Sequence, residues 1–263
     1  MTNFIKEKYL KVNKELIIAH RGESETAPEN TLSSIKLAWE LNDDAVEVDV
    51  RLTKDKQVVV FHDANTKRLS GKYKWIFKTN LNELKKLDIG KYKSEKYTGE
   101  QIPTLQEVLR TVPNGKKIIV EIKARSGMVP YLKDIISNSG LQTNQIEIIS
   151  FNFKTLIEVR KKMPDISVFW ILALDYNWFS KIFHTSVDKI ILKAKKQHLH
   201  GLDLWAGEML NAEMIRKIKA ADLKIYAWTL DDPEKARALF EFDVDGITTN
   251  RAYWLRNQLN EFK

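Results

Sequence analysis

The chain alternates short β-rich runs with amphipathic stretches along almost its whole length, and no other feature constrains its fold as strongly. This alternation favours a parallel sheet, because a parallel connection needs about a dozen residues and a helix supplies them. Strand character is found in residues 15–20, 45–50, 58–61, 117–123, 145–150, 167–173, 201–205, 224–230 and 246–249. Helical spacing of apolar residues is found in residues 30–41, 105–111, 128–137, 153–163, 187–196, 212–221, 234–240 and 253–262.

The third run decides the architecture. Only about seven residues separate Val50 from Val58, too few for a parallel crossover. Residues 58–61 are therefore predicted to turn back as a hairpin partner of the second strand. Eight parallel candidates remain, which is the number that closes a (β/α)8 TIM barrel. The alternative is an open doubly wound sheet, but no GxGxxG motif follows the first strand.

The length of 263 residues is typical of one barrel domain, and we predict a single domain over residues 1–263. Residues 63–103 are rich in Lys, Asn, Gly and Tyr and are long for a strand-to-helix loop. They are predicted to form a small insertion after the second strand and its hairpin. A second long loop, residues 175–186, is aromatic and is predicted to pack on the barrel as a short helix. The alternative for this loop is a lip that contacts lipid or substrate.

Composition excludes several functional classes. The chain has no cysteine, so disulfides, cysteine–zinc sites and a thiol nucleophile are excluded. The net charge of +8 suits anionic small molecules, but no basic stripe or RNA-binding signature indicates nucleic acid as a partner.

No apolar run reaches the about 20 residues of a membrane-spanning helix, so stable membrane insertion is not expected. The first residues show no signal-peptide pattern; the default expectation is a cytoplasmic protein, or a periplasmic or secreted one if a leader has been removed.

Acidic residues recur with a period of two on two strands. Glu47 and Asp49 share one face of the second strand, and Glu121 and Lys123 share one face of a later strand. Because the strand ends of a barrel converge, these side chains would meet with a net negative charge, which costs several kcal/mol per uncompensated ion. We therefore expect Glu47, Asp49 and Glu121 to hold one divalent cation. All-oxygen ligands favour Mg²⁺ or Ca²⁺ over zinc. The alternative is a structural network in which these carboxylates pair with Arg21, Arg51 and Lys123.

Two of the five histidines, His20 and His62, end apolar strands at the same predicted edge. Beside a metal they suit a general acid and a general base. Arg21 offers a planar fork to a phosphate, and Lys123 offers a point charge. Together these groups indicate cleavage of a phosphodiester. The remaining histidines are interpreted as structural or exposed: His184, His198 and His200.

Six segments carry a family resemblance. In chain order they are IIAHRGESETAPENT, AVEVDVRLTKDKQVVVFHD, IPTLQEVL, VEIKA, YAWTLDD and VDGITTNRA. In residue type, order and spacing, the chain from His20 to Arg251 resembles the glycerophosphodiester phosphodiesterase family. The resemblance implies a (β/α)8 barrel with a small insertion and a role in lipid and glycerol metabolism. It also implies metal-dependent hydrolysis of small glycerophosphodiesters to glycerol 3-phosphate and an alcohol.

The resemblance also implies residue roles. His20 and His62 match the catalytic histidines, and Trp228 matches a tryptophan near the glycerol moiety. Arg21 and Lys123 match the contacts to the substrate phosphate. The metal ligands are matched by Glu47, Asp49 and Glu121.

Some positions remain open. Asp231 stands where the family often has Asn, and Ala252 stands where it usually has Pro. These two departures leave the leaving-group pocket undecided, but not the chemistry. In the segment Pro28-Glu29-Asn30-Thr31, Asn30 or Thr31 is expected mainly to cap a helix. Asn250 could contact substrate or close a turn.

Two other functions remain as alternatives. The first is a phospholipase on the same barrel, of the phosphoinositide-specific C type or the lysophospholipase D type. The second is a non-catalytic barrel that binds phosphorylated ligands, although the retained histidines and carboxylates argue against it. The sequence does not choose between water and a neighbouring substrate hydroxyl as nucleophile, nor does it indicate an oligomeric state.

Overall fold

A computed structural model describes residues 15–123, 126–174 and 186–260. The strands in these ranges are β1 (Leu16–His20), β2 (Ala45–Leu52), β3 (Val58–Val60), β4 (Lys117–Ile122), β5 (Ile146–Ser150), β6 (Ser167–Leu172), β7 (Gly201–Trp205), β8 (Lys224–Trp228) and β9 (Gly246–Thr249). The α-helices are α1 (Leu32–Glu40), α2 (Lys67–Ser70), α3 (Leu81–Leu84), α4 (Leu105–Leu109), α5 (Val129–Ser137), α6 (Phe153–Lys162), α7 (Val187–Lys196), α8 (Ala212–Ala220), α9 (Pro233–Glu241) and α10 (Ala252–Asn260). Short 3-10 turns occupy Ile76–Lys78, Glu95–Tyr97, Ser126–Met128 and Thr143–Gln145.

The sheet closes on itself. The eight strands other than β3 pair in parallel, and β1 pairs with both β2 and β9, which leaves no free edge among them. β3 pairs antiparallel to β2, with Val60 opposite Val50. A tight turn from Thr53 to Gln57 makes this reversal, and Lys56 takes a left-handed φ of 63° within it. The predicted (β/α)8 TIM barrel and the predicted hairpin are both confirmed.

Each barrel strand presents one face to the helices and the other to the barrel interior. Val46, Val48 and Val50 of β2 belong to the large core between strands and helices. A smaller cluster fills the interior: Ile18, Ala45, Ile119, Ile149, Phe169, Ile171 and Tyr226. The rings of Phe169 and Tyr226 stack with centroids 4.5 Å apart. The alternation leaves polar side chains at the C-terminal ends of the strands, here called the barrel mouth.

The segment between β3 and α4 has its own small core. It consists of Val59, Phe61, Leu69, Ile76, Leu84, Leu87, Ile89 and Ile102. Val59 and Phe61 come from the β3 hairpin, so this core attaches the segment to the barrel. The Phe61 main-chain N–H donates to the Asp49 carbonyl oxygen at 2.8 Å, and this hydrogen bond holds the following residue, His62, at the mouth.

Some element bounds differ from the sequence-based expectation. α1 begins at Leu32 because Thr31 caps it: Thr31 Oγ1 accepts a hydrogen bond from the Ser34 main-chain N–H at 3.2 Å. β8 ends at Trp228, two residues before the predicted end. Residues 175–185 of the aromatic loop, the last residues of the predicted helix 253–262, and His184 lie outside the described residues. None of the helices described is long and apolar enough to span a bilayer.

Candidate active site

Three carboxylates converge at the mouth. Glu47 and Asp49 lie on the inner face of β2, and the register places Asp49 beside Glu121 of β4. One carboxylate oxygen from each residue lies within 4.8 Å of the others, and all three residues are buried. Within the described ranges Glu47 Oε1 accepts no hydrogen bond. A cluster of buried carboxylates in which an oxygen is left without a donor fits a hard divalent cation such as Mg²⁺ or Ca²⁺.

The charges of these carboxyl groups oppose one another. Burial, together with the charges of Asp49 and Glu121, raises the pKa of Glu47 well above its ordinary value. Burial and the charge of Asp49 raise the pKa of Glu121 to about 7. Burial also acts on Asp49, but the positive charges of Arg21 and Lys123 outweigh it and hold the pKa of Asp49 below its usual value. Glu47 and Glu121 therefore hold a proton more readily than isolated carboxylates would, and a bound cation would relieve the same repulsion.

Two basic side chains flank the carboxylates. Arg21 follows β1, and its Nε lies 3.0 Å from Asp49 Oδ2. Lys123 follows β4, and its Nζ lies 2.8 Å from Glu121 Oε1 and 3.2 Å from Asp49 Oδ1. Both cations face the same cavity. The ion pairs of Arg21 and Lys123 expected under the structural alternative do form, but among the described residues they leave Glu47 Oε1 without a partner.

His20 is held in one tautomer. Its Nδ1 lies 2.7 Å from Asn250 Oδ1, while Asn250 Nδ2 donates to Asp231 Oδ2 at 3.0 Å. Because the amide nitrogen is used by Asp231, the amide oxygen must accept, so His20 Nδ1 carries the proton and Nε2 is free. Nε2 lies 3.9 Å from Glu47 Oε2. Burial and the nearby Arg21 lower the pKa of His20 to about 4, which makes it a neutral ring with an available lone pair.

His62 has a carboxylate partner instead. Its Nδ1 donates to Asp63 Oδ1 at 2.7 Å, and Asp63 Oδ2 accepts from Arg68 Nε at 2.7 Å. Arg51 Nε donates to the His62 carbonyl oxygen at 2.7 Å and holds the main chain. Burial lowers the pKa of His62, while the charges of Asp49 and Asp63 favour its protonated form. A ring facing a carboxylate holds a proton more readily than one facing a neutral amide.

An ion-pair network joins the two halves of the site. Arg68, in α2 of the inserted segment, donates to both oxygens of Glu29 at 2.7 and 2.8 Å. Glu29 Oε1 accepts in turn from Arg21 Nη1 at 2.9 Å. Sequence reasoning missed both Glu29 and Arg68. Glu29 was visible within the APENT segment, whereas no motif marked Arg68.

Asn30 also contributes to the site. Its left-handed main chain, with φ 59°, turns the side chain toward β2. There its Nδ2 donates to Asp49 Oδ2 at 2.8 Å, and its Oδ1 accepts from the Asp49 main-chain N–H at 3.2 Å. Thr31 caps α1, so Asn30 is left to orient a candidate metal ligand.

The other open residues also have clear contacts. Asp231 accepts hydrogen bonds from Asn250 and Thr249, so it supports the contact between Asn250 and His20. Ala252 is buried at the start of α10. His200 Nδ1 accepts the Val168 main-chain N–H at 3.0 Å, a structural role, and His198 is exposed.

A cavity of ≈ 190 Å³ collects most of these groups. Seven of the eight predicted site residues line it: His20, Arg21, Glu47, His62, Glu121, Lys123 and Trp228. Asp49, the eighth, contacts Arg21 and Lys123 beside it. Trp228 packs edge-to-face on Phe151 with ring centroids 5.6 Å apart. The remaining wall consists of Ile149, Phe151, Ile171, Asp203, Thr229 and Thr248.

Known proteins resemble this chain over nearly its whole length. The Glycerophosphoryl diester phosphodiesterase family model matches residues 20–253. A glycerophosphodiester phosphodiesterase of Caldanaerobacter subterraneus is 32% identical over 244 residues, covering 90% of this chain and 94% of that protein. A human lysophospholipase D is 25% identical over 279 residues, covering 93% of this chain and 86% of that protein.

A solved structure adds a bound molecule to the comparison. An Oleispira antarctica phosphodiesterase, solved in complex with the product sn-glycerol-3-phosphate, superposes with a TM-score of 0.82 at 28% identity. The match covers 93% of this chain and 96% of that one.

Proposed function

Because the chain belongs to the glycerophosphoryl diester phosphodiesterase family and is a hydrolase of phosphoric diester bonds, we propose that it cleaves glycerophosphodiesters with one divalent cation and two histidines. The products are glycerol 3-phosphate and an alcohol. One observation carries this proposal: a carboxylate cluster with an unpaired buried oxygen lies in the same cavity as two imidazole rings.

Glu47, Asp49 and Glu121 hold the cation, which is Mg²⁺ or Ca²⁺ because the ligands are carboxylate oxygens. When bound, the cation withdraws negative charge from the phosphoryl oxygens of the diester. Asn30 keeps the Asp49 carboxylate oriented through its two hydrogen bonds.

The substrate phosphate binds to Arg21 and Lys123. The guanidinium of Arg21 and the ammonium of Lys123 stand on one wall of the cavity and are fixed before substrate arrives. Fixed cations stabilise the extra charge that develops on the phosphoryl oxygens as the new bond forms. Trp228 lies at the end of β8 and lines the cavity, and we assign its ring to the glycerol moiety.

The two histidines move the protons. Neutral His20 accepts a proton on Nε2 from the nucleophile, which is water or a neighbouring hydroxyl of the substrate. His62, whose Nδ1–H faces Asp63, delivers a proton from Nε2 to the departing alcohol oxygen. One proton enters and one leaves the pair of rings, so the enzyme returns to its starting state after product release and proton exchange.

We also propose that residues 1–263 form a single catalytic domain in which residues 63–103 are an insertion. The contacts of Arg68 with Asp63 and Glu29 support this, because the insertion then stabilises the same site as the barrel strands do.

An assay of glycerol 3-phosphate release from glycerophosphocholine tests the proposal. We expect His20→Ala and His62→Ala to lose at least about a hundredfold in kcat, since each removes a proton-transfer group. EDTA should abolish turnover, and added Mg²⁺ or Ca²⁺ should restore it. His198→Asn is the matched control, because His198 is exposed and Asn tolerates its left-handed φ of 53°. Wild-type rates in either alanine variant would end the assignment.

A lysophospholipid is a second candidate substrate. Phe151 and Trp205, at the ends of β5 and β7, are 46% and 38% exposed, and both can contact an acyl chain at the mouth. The likeness to a human lysophospholipase D points the same way. Comparing glycerophosphocholine with lysophosphatidylcholine separates the two. A preference for the acylated substrate that Phe151→Ser removes would favour the second candidate.

A further inference from the structure

Asp203 points into the active-site cavity from the wall opposite the cations. Its neighbours on β7, Leu202 and Leu204, pack outward against the helices. The register places Asp203 beside Ile171 and Tyr226, which both belong to the interior cluster. Strand alternation therefore directs the Asp203 side chain inward, and the residue lines the cavity that contains both histidines.

One oxygen of the Asp203 carboxyl group has no structural partner among the described residues. The residue is 3% exposed, and its Oδ1 accepts no hydrogen bond from any residue that the structure describes. Burial, followed by the negative charges of Glu121 and Glu147, raises the pKa of Asp203 well above its ordinary value. Buried polar groups are nearly always hydrogen-bonded, so an unpaired oxygen at a cavity wall indicates a ligand that completes it.

A metal is not that ligand. The carboxylate oxygens that converge within 4.8 Å belong to Glu47, Asp49 and Glu121 and do not include Asp203. A second inward carboxyl group, Glu147, shows what a structural acid looks like in this barrel. Its oxygens accept from Tyr226 Oη at 2.7 Å and pair with Lys117, and it does not line the cavity.

The location of Asp203 in the cavity determines which part of the substrate it can contact. Arg21 and Lys123 follow β1 and β4, so the phosphate belongs on that side. Asp203 lies across the cavity beside Trp228, whose indole N–H donates to the Asp203 carbonyl oxygen at 3.2 Å. The glycerol half of the substrate, to which Trp228 is assigned in the proposed function, carries hydroxyl groups on a short apolar chain. A carboxyl group next to an indole ring matches both.

We propose that Asp203 hydrogen-bonds a hydroxyl group of the glycerol moiety and thereby selects glycerol phosphates over alkyl phosphates without hydroxyls. The inference rests on the proposed function, because it takes the cavity as the glycerophosphate site. Asp203 would then act as a specificity residue. A ligand without hydroxyl groups would leave the buried Asp203 carboxyl group unpaired and would therefore bind more weakly.

Calorimetric binding of sn-glycerol 3-phosphate and of propyl phosphate, in saturating Mg²⁺, tests this. Propyl phosphate is the same molecule without the two hydroxyls. We expect the wild-type protein to prefer glycerol 3-phosphate by at least about tenfold in Kd, and Asp203→Leu to remove most of that preference. Propyl phosphate should bind Asp203→Leu at least as well as wild type. Asp203→Asn should keep much of the preference, because an amide also donates and accepts.

Controls make the outcome decisive. Glu147→Gln changes an inward acid that does not line the cavity and should leave the preference unchanged. Asp203→Leu should melt no lower than wild type, since it removes a buried carboxyl oxygen that has no partner among the described residues. Asp203→Ala gives the same binding readout with a smaller side chain. The inference would be overturned if the wild-type protein bound glycerol 3-phosphate and propyl phosphate equally well. It would also be overturned if the Asp203 variants lost affinity for both ligands to the same extent.

Binding is independent of turnover, so the two proposals can fail separately. A wild-type protein that prefers glycerol 3-phosphate through Asp203 but releases none from glycerophosphocholine would support the inference and refute the proposed function. Turnover of glycerophosphocholine with equal binding of both phosphates would do the reverse.

Discussion

Single hydrogen bonds outside the reacting groups decide what each histidine can do. Asp231 orients the amide of Asn250, and Asn250 then fixes the proton of His20 on Nδ1. The sequence identified His20 and His62 because both end apolar strands. It left Asn250 open between substrate and turn, because 230 positions separate it from His20 and only barrel closure brings them together.

We expect Asn250→Ala to lower kcat by at least about tenfold with little change in KM, because Asn250 holds the base and not the phosphate. Its hydrogen bond raises the pKa of His20, so the acidic limb of the pH–rate profile should move to lower pH in the variant. Steady-state kinetics from about pH 3 to about 9 measure both. Asn138→Ala, a change on the surface, is the control. An unchanged kcat and profile would show that Asn250 does not position His20.

Periodicity predicted the long elements and failed for short ones. All eight barrel strands and the β3 hairpin were predicted from alternation and connection length. α2 and α3 were not, since four residues are about one turn and show no period. The ion pairs of Arg68, which lies in α2, were therefore also missed. They depend on how the inserted segment folds back over the mouth.

Arg68→Ala should reduce kcat by at least about tenfold, because it frees Asp63 and Glu29 together and so loosens His62 and Arg21. Arg68→Lys should recover only part of the rate, because an ammonium cannot form the fork that spans both Glu29 oxygens. The kcat for glycerophosphocholine is measured for both variants and for Lys67→Ala, a control at the neighbouring exposed residue. If the Arg68 and Lys67 variants behave alike, the network has no effect on catalysis.

A buried contact between an acidic and a basic side chain joins the end of α1 to α10. Asp43 is fully buried after α1 and pairs with Arg256 of α10 at 2.9 Å. Burial and the charge of Glu23 raise the pKa of Asp43 to about 8. The folded protein therefore holds a proton here that the unfolded chain, with a pKa near 3.9, releases.

Stability should consequently fall as the pH rises from about 4 to about 8, because folding must take up a proton across that window. The contribution is on the order of a few kcal/mol, since each unit of pKa difference is worth about 1.4 kcal/mol. Asp43→Asn should flatten this slope in urea unfolding at pH 5 and pH 8. Asp44→Asn, at the adjacent and more accessible carboxylate, is the control. A slope unchanged in Asp43→Asn would contradict the assignment.

The whole barrel divides into a filled lower half and a charged mouth. Phe169 and Tyr226 stack where Gly201 and Gly246 leave room, since a Cβ at Gly201 would lie 2.5 Å from Phe169 Cε1. Above this layer the acids of β2 and β4 meet. The sequence predicted that meeting from period two and strand order, but it could not predict which oxygens stay unpaired, because that depends on rotamers and neighbours.

A bound cation should therefore stabilise the whole fold. Mg²⁺ or Ca²⁺ at about 100 times its Kd adds about 2.7 kcal/mol, which thermal unfolding registers as a clear rise in Tm. Glu121→Gln should lose most of this rise. Without a cation it should melt at or above the wild-type temperature, because one repelling carboxylate is gone. Glu213→Gln, an exposed acid on α8, is the control. A wild-type Tm that ignores both cations would remove the metal from the proposal.

The left-handed main chain at Arg21 and Asn30 adds to the cost of the mouth, where φ is 58° and 59° in residues other than glycine. These penalties accompany a mouth in which Glu47 Oε1 and Asp203 Oδ1 accept no hydrogen bond from the described residues, so both oxygens are free to meet a ligand. Laboratory selection for thermostability alone would therefore be expected to replace Glu47, Glu121 and Asp203 first, with neutral or apolar residues. The most stable variants would be well-folded barrels without activity.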